Sequence, residues 1–145
     1  MRQIVDRQLW VGHAGDTRDS RPLFAAGIRA VVELADSEPL APLARDFIRC
    51  RFPLIDGGGN PPWLVRLAVE SIAAFLRAGV PTLVCCGCGL SRSVCFAAGG
   101  LALAEGLTLK EALMLVAGSG PADMSPGLLA EVQTVLASGA ASARR

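Results

Sequence analysis

The sequence predicts a single α/β domain in which helices flank a central, mostly parallel sheet of four to five strands. Three observations indicate this fold. The length of 145 residues suits one hydrophobic core. Short apolar runs alternate with helical patterns in the first half of the chain, and the second half shows helical patterns alone. The sequence contains no internal repeat, linker or second domain, so we expect one domain over 1–145.

Four short apolar runs predict the strands of this sheet. They are Gln8 to Val11, Ala30 to Leu34, part of Ile48 to Ile55, and Thr82 to Cys86. Because helical patterns lie between them, we expect these strands to pair mostly in parallel.

Helical patterns separate the strands. A short helix is predicted from Ser20 to Gly27, and another from Pro39 to Phe47. The triplet Asn60-Pro61-Pro62 predicts the start of a longer helix, because asparagine can cap a helix and proline fits its first turn. Gly79 ends this helix, and its apolar residues recur at helical spacing. They are Leu64, Leu67, Ala68, Ile72 and Phe75.

The second half of the chain is predicted to be helical. Small and apolar residues without proline follow Arg92, so a helix begins there. The stretch Thr108 to Glu111 fits a capping box, which begins a helix that runs to about Gly118. Ser125-Pro126 begins the last helix, and we expect the tail 138–145 to be frayed. The apolar stripe of the last helix contains Leu128, Leu129, Val132, Val135 and Leu136.

Composition excludes several classes of function. The net charge is +1, from 14 basic and 13 acidic residues, and nothing marks a nucleic-acid or membrane surface. Although 52% of the residues are hydrophobic, no run approaches the roughly 20 apolar residues of a membrane-spanning helix. The start MRQIVDRQLW does not resemble a signal peptide. We therefore expect a cytoplasmic protein, and a monomer.

The five cysteines are read as thiols. Their number is odd, and four of them lie between Cys85 and Cys95, which does not suit a disulfide scaffold. Zinc usually requires two separated ligand pairs, so a metal site in this cluster is disfavoured and we predict none. Cys50 and Cys95 are interpreted as core residues.

The turn between the buried strand and the Arg92 helix has the features of an anion site. Glycines before a helix N-terminus direct backbone N–H groups and the positive end of the helix dipole toward one point. The planar guanidinium of Arg92 can bind two oxygens of a phosphoryl group. Cys86 shares this positive environment, which favours a nucleophilic thiolate, and Ser93 can hydrogen-bond the sulfur and help it leave.

The stretch Cys85-Cys86-Gly87-Cys88-Gly89-Leu90-Ser91-Arg92-Ser93 resembles the signature of the dual-specificity phosphatases. That signature reads His-Cys, two residues, Gly, one residue, then Ser-Arg-Ser/Thr, and Cys85 stands here in the histidine position. The resemblance continues outward through much of the chain. It includes Leu9 to Gly12, Gly27 to Val32, Phe52 to Asp56, Leu109 to Leu113, and Ser125-Pro126.

The resemblance implies a phosphatase-like fold and a metal-independent hydrolase without a cofactor. Cys86 would attack phosphorus, Arg92 would hold the phosphoryl oxygens, and Asp56 would act first as acid and then as base. The implied phosphate-binding residues are Gly87, Cys88, Gly89, Leu90, Ser91 and Arg92. The substrate would be a protein phosphorylated on tyrosine, serine or threonine, or another phosphomonoester.

Two alternative functions remain open. Because the signature histidine is missing, the protein can be a weak pseudophosphatase that binds phosphorylated partners. A rhodanese-like sulfurtransferase fits less well, since its loop typically has one residue fewer between cysteine and arginine. The loop contains no lysine, which argues against a highly charged inositol phosphate as substrate.

Several residues near the signature have two interpretations. Cys85 and Cys88 are candidate redox partners of Cys86, but small buried residues are favoured. Asp123 is a second candidate for the general acid, but a polar loop residue without a catalytic role is the favoured interpretation. A local hydrogen bond or solvent exposure is expected for His13, and packing at a helix start for Trp63.

The glycine clusters also have two readings. Gly57 to Gly59 can let the acid loop, the segment that carries Asp56, swing over a bound substrate. A connection that needs positive φ is the favoured reading. The pair Gly99-Gly100 predicts close packing between helices.

Overall fold

The computed structural model describes residues 1–6, 8–35, 43–120 and 122–143. A five-stranded sheet forms its centre, with the strand order β1-β2-β5-β3-β4. The strands are β1 (Arg2–Val5), β2 (Leu9–His13), β3 (Ala30–Glu33), β4 (Ile48–Arg51) and β5 (Thr82–Cys86). Only β1 runs antiparallel to its neighbour, so the prediction of a mostly parallel sheet is confirmed.

Five α-helices surround the sheet within the described residues. They are α1 (Arg21–Ala25), α2 (Pro62–Arg77), α3 (Arg92–Glu105), α4 (Leu109–Gly118) and α5 (Pro126–Ala143), and a 3-10 turn covers Ala14–Thr17. The predicted capping box is present, because Thr108 accepts from the Glu111 amide and the Glu111 side chain accepts from the Thr108 amide. Helical order in α5 continues to Ala143, well into the stretch predicted to be frayed.

One strand was missed, and two expectations for the elements are wrong. The edge strand β1 was not predicted, because its polar residues Arg2 and Gln3 hide the apolar alternation. Residues 43–47 form turns and no helix, while 39–42 of that predicted helix lie outside the described residues. Asn60 does not cap α2, since Pro61 occupies the N-cap position.

The sheet has a hydrophobic cluster on each face. The larger one contains Val84 and Cys86 of β5 together with residues from α2 to α5. The smaller one contains Leu83 and Cys85 of the same strand, because successive side chains of a strand point to opposite faces. Among the described residues, no helix is both long enough and apolar enough to cross a membrane.

The prediction of close helix packing at Gly99-Gly100 is confirmed. A Cβ on Gly100 would collide with the Ile72 side chain of α2, and one on Gly99 would lie 2.8 Å from Val132 of α5. These two glycines therefore let α3 lie directly against its neighbours. This packing fixes the helix whose first residue is Arg92.

Candidate active site

Cys86 is the last residue of the central strand β5. The parallel strands β2 and β3 pair with β5 on either side, and their carboxyl ends meet there, with His13 opposite Cys86 and Glu33 opposite Cys85. In open α/β sheets, ligands bind beyond this edge. The topology therefore places the predicted nucleophile where such folds bind their ligands.

The Cys86 sulfur lies between two hydrogen-bond partners. The Gly89 amide donates to Sγ over 3.3 Å, and the Ser93 hydroxyl oxygen is also 3.3 Å from it. The N-terminus of α3, beginning at Arg92, adds the positive end of a helix dipole. The Gly89 amide and the start of α3 both direct positive partial charge at the sulfur, which suits this side chain to act as a nucleophile.

The loop between Cys86 and Arg92 contacts other parts of the chain on two sides. Gly89 has a positive φ of 73°, and a Cβ there would lie 3.0 Å from the carbonyl oxygen of Gly12. On the other side, the Asp123 amide donates to the Leu90 carbonyl over 2.8 Å. Gly89 is thus required both for its backbone conformation and for its close approach to β2.

Arg92 is buried at the first position of α3, with only 8% of its surface exposed. Its Nη1 donates to the Leu54 carbonyl over 3.1 Å. Leu54 precedes Asp56 by two residues, so the arginine connects the start of α3 to the segment that carries the predicted acid. A buried guanidinium beside the Cys86 loop is suited to bind phosphoryl oxygens.

Asp56 is hydrogen-bonded to a side chain of the loop between Cys86 and Arg92. The Ser91 hydroxyl donates to Asp56 Oδ1 over 2.7 Å, and the Ser125 amide donates to the Ser91 oxygen over 3.4 Å. The structure therefore brings the predicted acid to the loop that Cys86 and Arg92 bound. Asp123 contributes its backbone amide to this loop, which fits its reading as a loop residue.

The connection after Asp56 has the conformation that its glycines predict. Gly57, Gly58 and Gly59 have φ values of 99°, 116° and 83°, so the positive-φ reading is confirmed. Asn60 closes this connection, because its Oδ1 accepts from the Ile55 amide and its Nδ2 donates to the Ile55 carbonyl. A contact inside the loop thus replaces the expected helix cap.

The two candidate redox partners of Cys86 differ in their environment. Cys85 is buried in the smaller cluster, across the sheet from Cys86. Burial raises the pKa of the Cys85 thiol, and the negative charge of Glu33 raises it further. Cys88 is exposed, so the expectation that it is a small buried residue is wrong.

The remaining cysteines behave as core residues. Cys95 is fully buried in α3, and burial raises its pKa to about 12, with contributions from the charges of Glu131 and Asp56. Cys50 is partly buried against the larger cluster, and burial raises its pKa as well. No group of three or more His, Cys, Asp or Glu side chains within the described part of the chain is placed to hold a metal ion.

Three further residues have clear environments. His13 caps the 3-10 turn with Nδ1, which accepts from the Gly15 amide, and this local hydrogen bond was expected. Trp63 is 63% exposed, so the expectation that it packs at the start of α2 is wrong. Leu67, one turn further along α2, is also exposed rather than part of the buried face.

Sequence reasoning missed Glu131 of α5. Its Oε1 accepts from the Asn60 amide over 2.9 Å, and its Oε2 accepts from Asn60 Nδ2 over 3.0 Å. The residue lies 71 positions after Asn60 in an ordinary helical stretch. No local pattern could have connected it to the acid loop.

The fold of this chain is shared with proteins of known structure. No family model matches the chain, and no curated protein does. Solved structures match along nearly its whole length. The structure of human DUSP28 has a TM-score of 0.86 at 24% identity and covers 98% of this chain and 99% of its own.

Two further solved structures give the same result. A mouse dual specificity phosphatase complexed with zinc tungstate has a TM-score of 0.85 at 24% identity, covering 98% of this chain and 89% of its own. The human tyrosine phosphatase-like serine/threonine/tyrosine-interacting protein has a TM-score of 0.80 at 19% identity, with 97% of each chain covered. The chain therefore has a dual-specificity phosphatase-like fold.

Proposed function

We propose that this protein is a cysteine-dependent phosphomonoester hydrolase of the dual-specificity type, acting on phosphotyrosine, phosphoserine or phosphothreonine in proteins. One observation carries the proposal. The Cys86 sulfur lies between the Gly89 amide and the Ser93 hydroxyl at the start of a helix, and Asp56 is bound to the same loop through Ser91. This arrangement supports a nucleophile, an anion site and an acid acting together.

In the first step, the Cys86 thiolate attacks phosphorus in line with the departing oxygen. The S–P bond forms as the P–O bond breaks, and Asp56 donates its proton to the leaving oxygen. Arg92 and the amides of residues 87–91 hold the equatorial oxygens. This positioning lowers the barrier because the charge that develops meets donors already in place.

In the second step, water attacks the cysteinyl-phosphate. The Asp56 carboxylate, now deprotonated, accepts a proton from this water as the new P–O bond forms. The P–S bond breaks, its electron pair returns to sulfur, and inorganic phosphate is released. The Ser93 hydroxyl, 3.3 Å from the sulfur, donates a hydrogen bond to the departing thiolate.

Hydrolysis of p-nitrophenyl phosphate tests this function. Turnover that Cys86→Ser abolishes, with the folded structure retained, supports the enzyme. A purified protein that binds a phosphotyrosine peptide but releases no phosphate between pH 5 and 8 would instead be a pseudophosphatase. Cys85 motivates this second candidate, because it stands in place of the signature histidine.

The remaining properties follow from the sequence and stay predictions. We expect a cytoplasmic, monomeric signalling enzyme without nucleic-acid partners, checked by cell fractionation, light scattering and a nucleic-acid binding assay. Phosphate release from phosphotyrosine and phosphothreonine peptides, compared with a phosphoinositide, would establish the substrate class. Conversion of thiosulfate to thiocyanate would indicate a sulfurtransferase in place of the phosphatase.

A further inference from the structure

The residues of the loop that carries Asp56 do not by themselves restrict its backbone conformation. Three successive glycines follow the aspartate, and glycine has the greatest backbone freedom of any residue. A flexible acid loop would spend much of its time away from the leaving group, and small misplacements are costly in catalysis. The structure has to supply rigidity from outside this segment.

Asn60 supplies the first part of this restraint. It is only 7% exposed, and its amide group bonds both backbone groups of Ile55, at 2.7 Å to the nitrogen and 2.9 Å to the oxygen. Ile55 and Asn60 flank the segment 56–59, so this double contact closes the loop at its base. The backbone immediately before Asp56 is therefore fixed.

Glu131 supplies the second part. Its two carboxylate oxygens accept separately from the backbone amide and the side-chain amide of Asn60, at 2.9 and 3.0 Å. Both hydrogen bonds involve a charged acceptor in a partly buried position, which makes them stronger than neutral ones. The last long helix thereby holds the base of the loop in place.

The loop also packs directly against the start of α5. A Cβ on Gly127 would collide with the Gly57 carbonyl oxygen, and a Cβ on Gly58 would lie 3.5 Å from Glu131 Oε1. The glycines therefore serve close packing as well as positive φ. These contacts do not suit a loop that swings open as a lid.

We propose that Asn60 and Glu131 form a clamp that positions Asp56 as the general acid, so that the acid loop is preformed and does not close upon substrate. The inference rests on the proposed phosphatase function. Neither residue touches the substrate, and both are positioning residues that act through Asp56.

Leaving-group dependence in a series of aryl phosphates distinguishes positioning from general structural support. A well-placed acid protonates the leaving oxygen, so poor and good leaving groups depart at similar rates. In Glu131→Ala and Asn60→Ala we expect kcat/KM, which reports the step in which the leaving group departs, to fall about 10- to 100-fold for phenyl phosphate but less than about threefold for p-nitrophenyl phosphate. Glu131→Gln, which keeps one acceptor, should lie between them and the wild type.

Two controls accompany this measurement. Gln133→Ala removes an exposed side chain from the same helix and should leave both rates unchanged. In the Asp56→Asn background, Glu131→Ala should cause no further loss, because the clamp acts through the aspartate. Equal losses for all leaving groups, or losses that add to that of Asp56→Asn, would overturn the proposal.

Amide hydrogen exchange separates failure of the clamp from failure of the proposed function. The Ile55 and Asn60 amides both donate within the clamp and should exchange slowly in the wild type and faster in Glu131→Ala. If the wild type hydrolyses no phosphomonoester, the proposed function is wrong, and Asp56 has no acid role for the clamp to serve. Fast exchange of both amides in the wild type overturns the clamp whether or not the protein is active.

Discussion

The Ser91 hydroxyl donates a 2.7 Å hydrogen bond to Asp56 Oδ1, and this contact joins the loop between Cys86 and Arg92 to the loop that carries Asp56. It holds one carboxylate oxygen, so that the other can face the leaving group. We expect Ser91→Ala to lower kcat for phenyl phosphate about 10-fold, because a hydrogen bond that positions the Asp56 carboxyl group is lost. Asp56→Asn should lower it about 10²- to 10⁴-fold, because the acid itself is lost.

Steady-state assays at pH 6 and 7 check this prediction. Ser138→Ala, which removes an exposed hydroxyl from α5, serves as the matched control and should not change kcat. If Ser91→Ala keeps the full rate, the hydrogen bond does not position the acid.

The structure of the loop between Cys86 and Arg92 could be predicted from sequence because consecutive residues build it. A buried strand, glycines, Arg92 and the start of a helix are all local features, and each lies where the sequence indicated. The clamp could not be predicted, because Asn60 looks like a helix cap until Glu131 approaches from α5. Tertiary hydrogen bonds outweighed the local preference there, since a buried amide must satisfy both of its polar groups.

Helix faces were predicted less well than helix boundaries. The spacing of α2 predicted a buried Leu67, and its first turn a packed Trp63, yet both are exposed. An apolar residue on the rim of a helix face becomes buried only if another element covers it. The sequence pattern contains the period of the helix but not the width of the surface that neighbouring elements cover.

Ser93 should act mainly in the second chemical step. Its hydroxyl lies 3.3 Å from the Cys86 sulfur, where it can stabilise the thiolate that leaves the phosphoenzyme. In Ser93→Ala we expect hydrolysis of the intermediate to slow about 10-fold or more, so that the cysteinyl-phosphate accumulates. Stopped-flow measurement of p-nitrophenol should then show a burst, followed by a slower steady rate.

The amplitude of this burst, compared between two variants, is the control. It should approach one p-nitrophenol per enzyme in Ser93→Ala and be absent in Cys86→Ser, which lacks the nucleophile. A Ser93→Ala variant with a lowered rate but no burst would place the effect of Ser93 in the first step.

Cys85 stands where the signature that this stretch resembles has a histidine. Its side chain is buried near Glu33, whose charge contributes to the raised pKa of this thiol. We expect Cys85→His to raise kcat/KM for p-nitrophenyl phosphate about 3- to 10-fold, because it restores the residue that the signature has before the nucleophile. The larger side chain should lower stability by about 1–3 kcal/mol.

Cys85→Ser is the control for this change, since it keeps the size of the side chain without an imidazole. Urea unfolding and initial rates, measured on the same preparations, separate the two effects. Equal activity of both variants and the wild type would show that the missing histidine does not limit the rate.

Gly100 is predicted to be the least replaceable glycine of α3. A Cβ there would collide with the Ile72 side chain, so Gly100→Ala must push α3 away from α2. We expect it to lower the free energy of unfolding by about 1–3 kcal/mol despite the better helix propensity of alanine. Urea denaturation followed by circular dichroism measures this change.

Gly118→Ala is the matched comparison. Gly118 is the last residue of α4, and a Cβ there meets no atom within 4 Å. This variant should be as stable as the wild type or more stable by up to about 1 kcal/mol. Similar effects of the two substitutions would contradict the packing that we describe for Gly100.

The buried thiols should make the protein less stable in alkaline solution. Burial raises the pKa of Cys95 from 9.0 to about 12, so its contribution to stability is fully present below pH 9. Between these values the unfolded chain releases the thiol proton while the folded chain keeps it. The free energy of unfolding should therefore fall with rising pH, by up to about 1.4 kcal/mol per pH unit for this thiol.

The composition makes this effect measurable, because the chain has no tyrosine and Lys110 is its one lysine. Urea unfolding of the reduced protein at pH 8, 9 and 10 should show the decline. Cys95→Ala should decline less steeply, whatever constant stability it loses through the cavity. Parallel slopes for Cys95→Ala and the wild type would show that the Cys95 thiol ionises as readily in the folded chain as in the unfolded one.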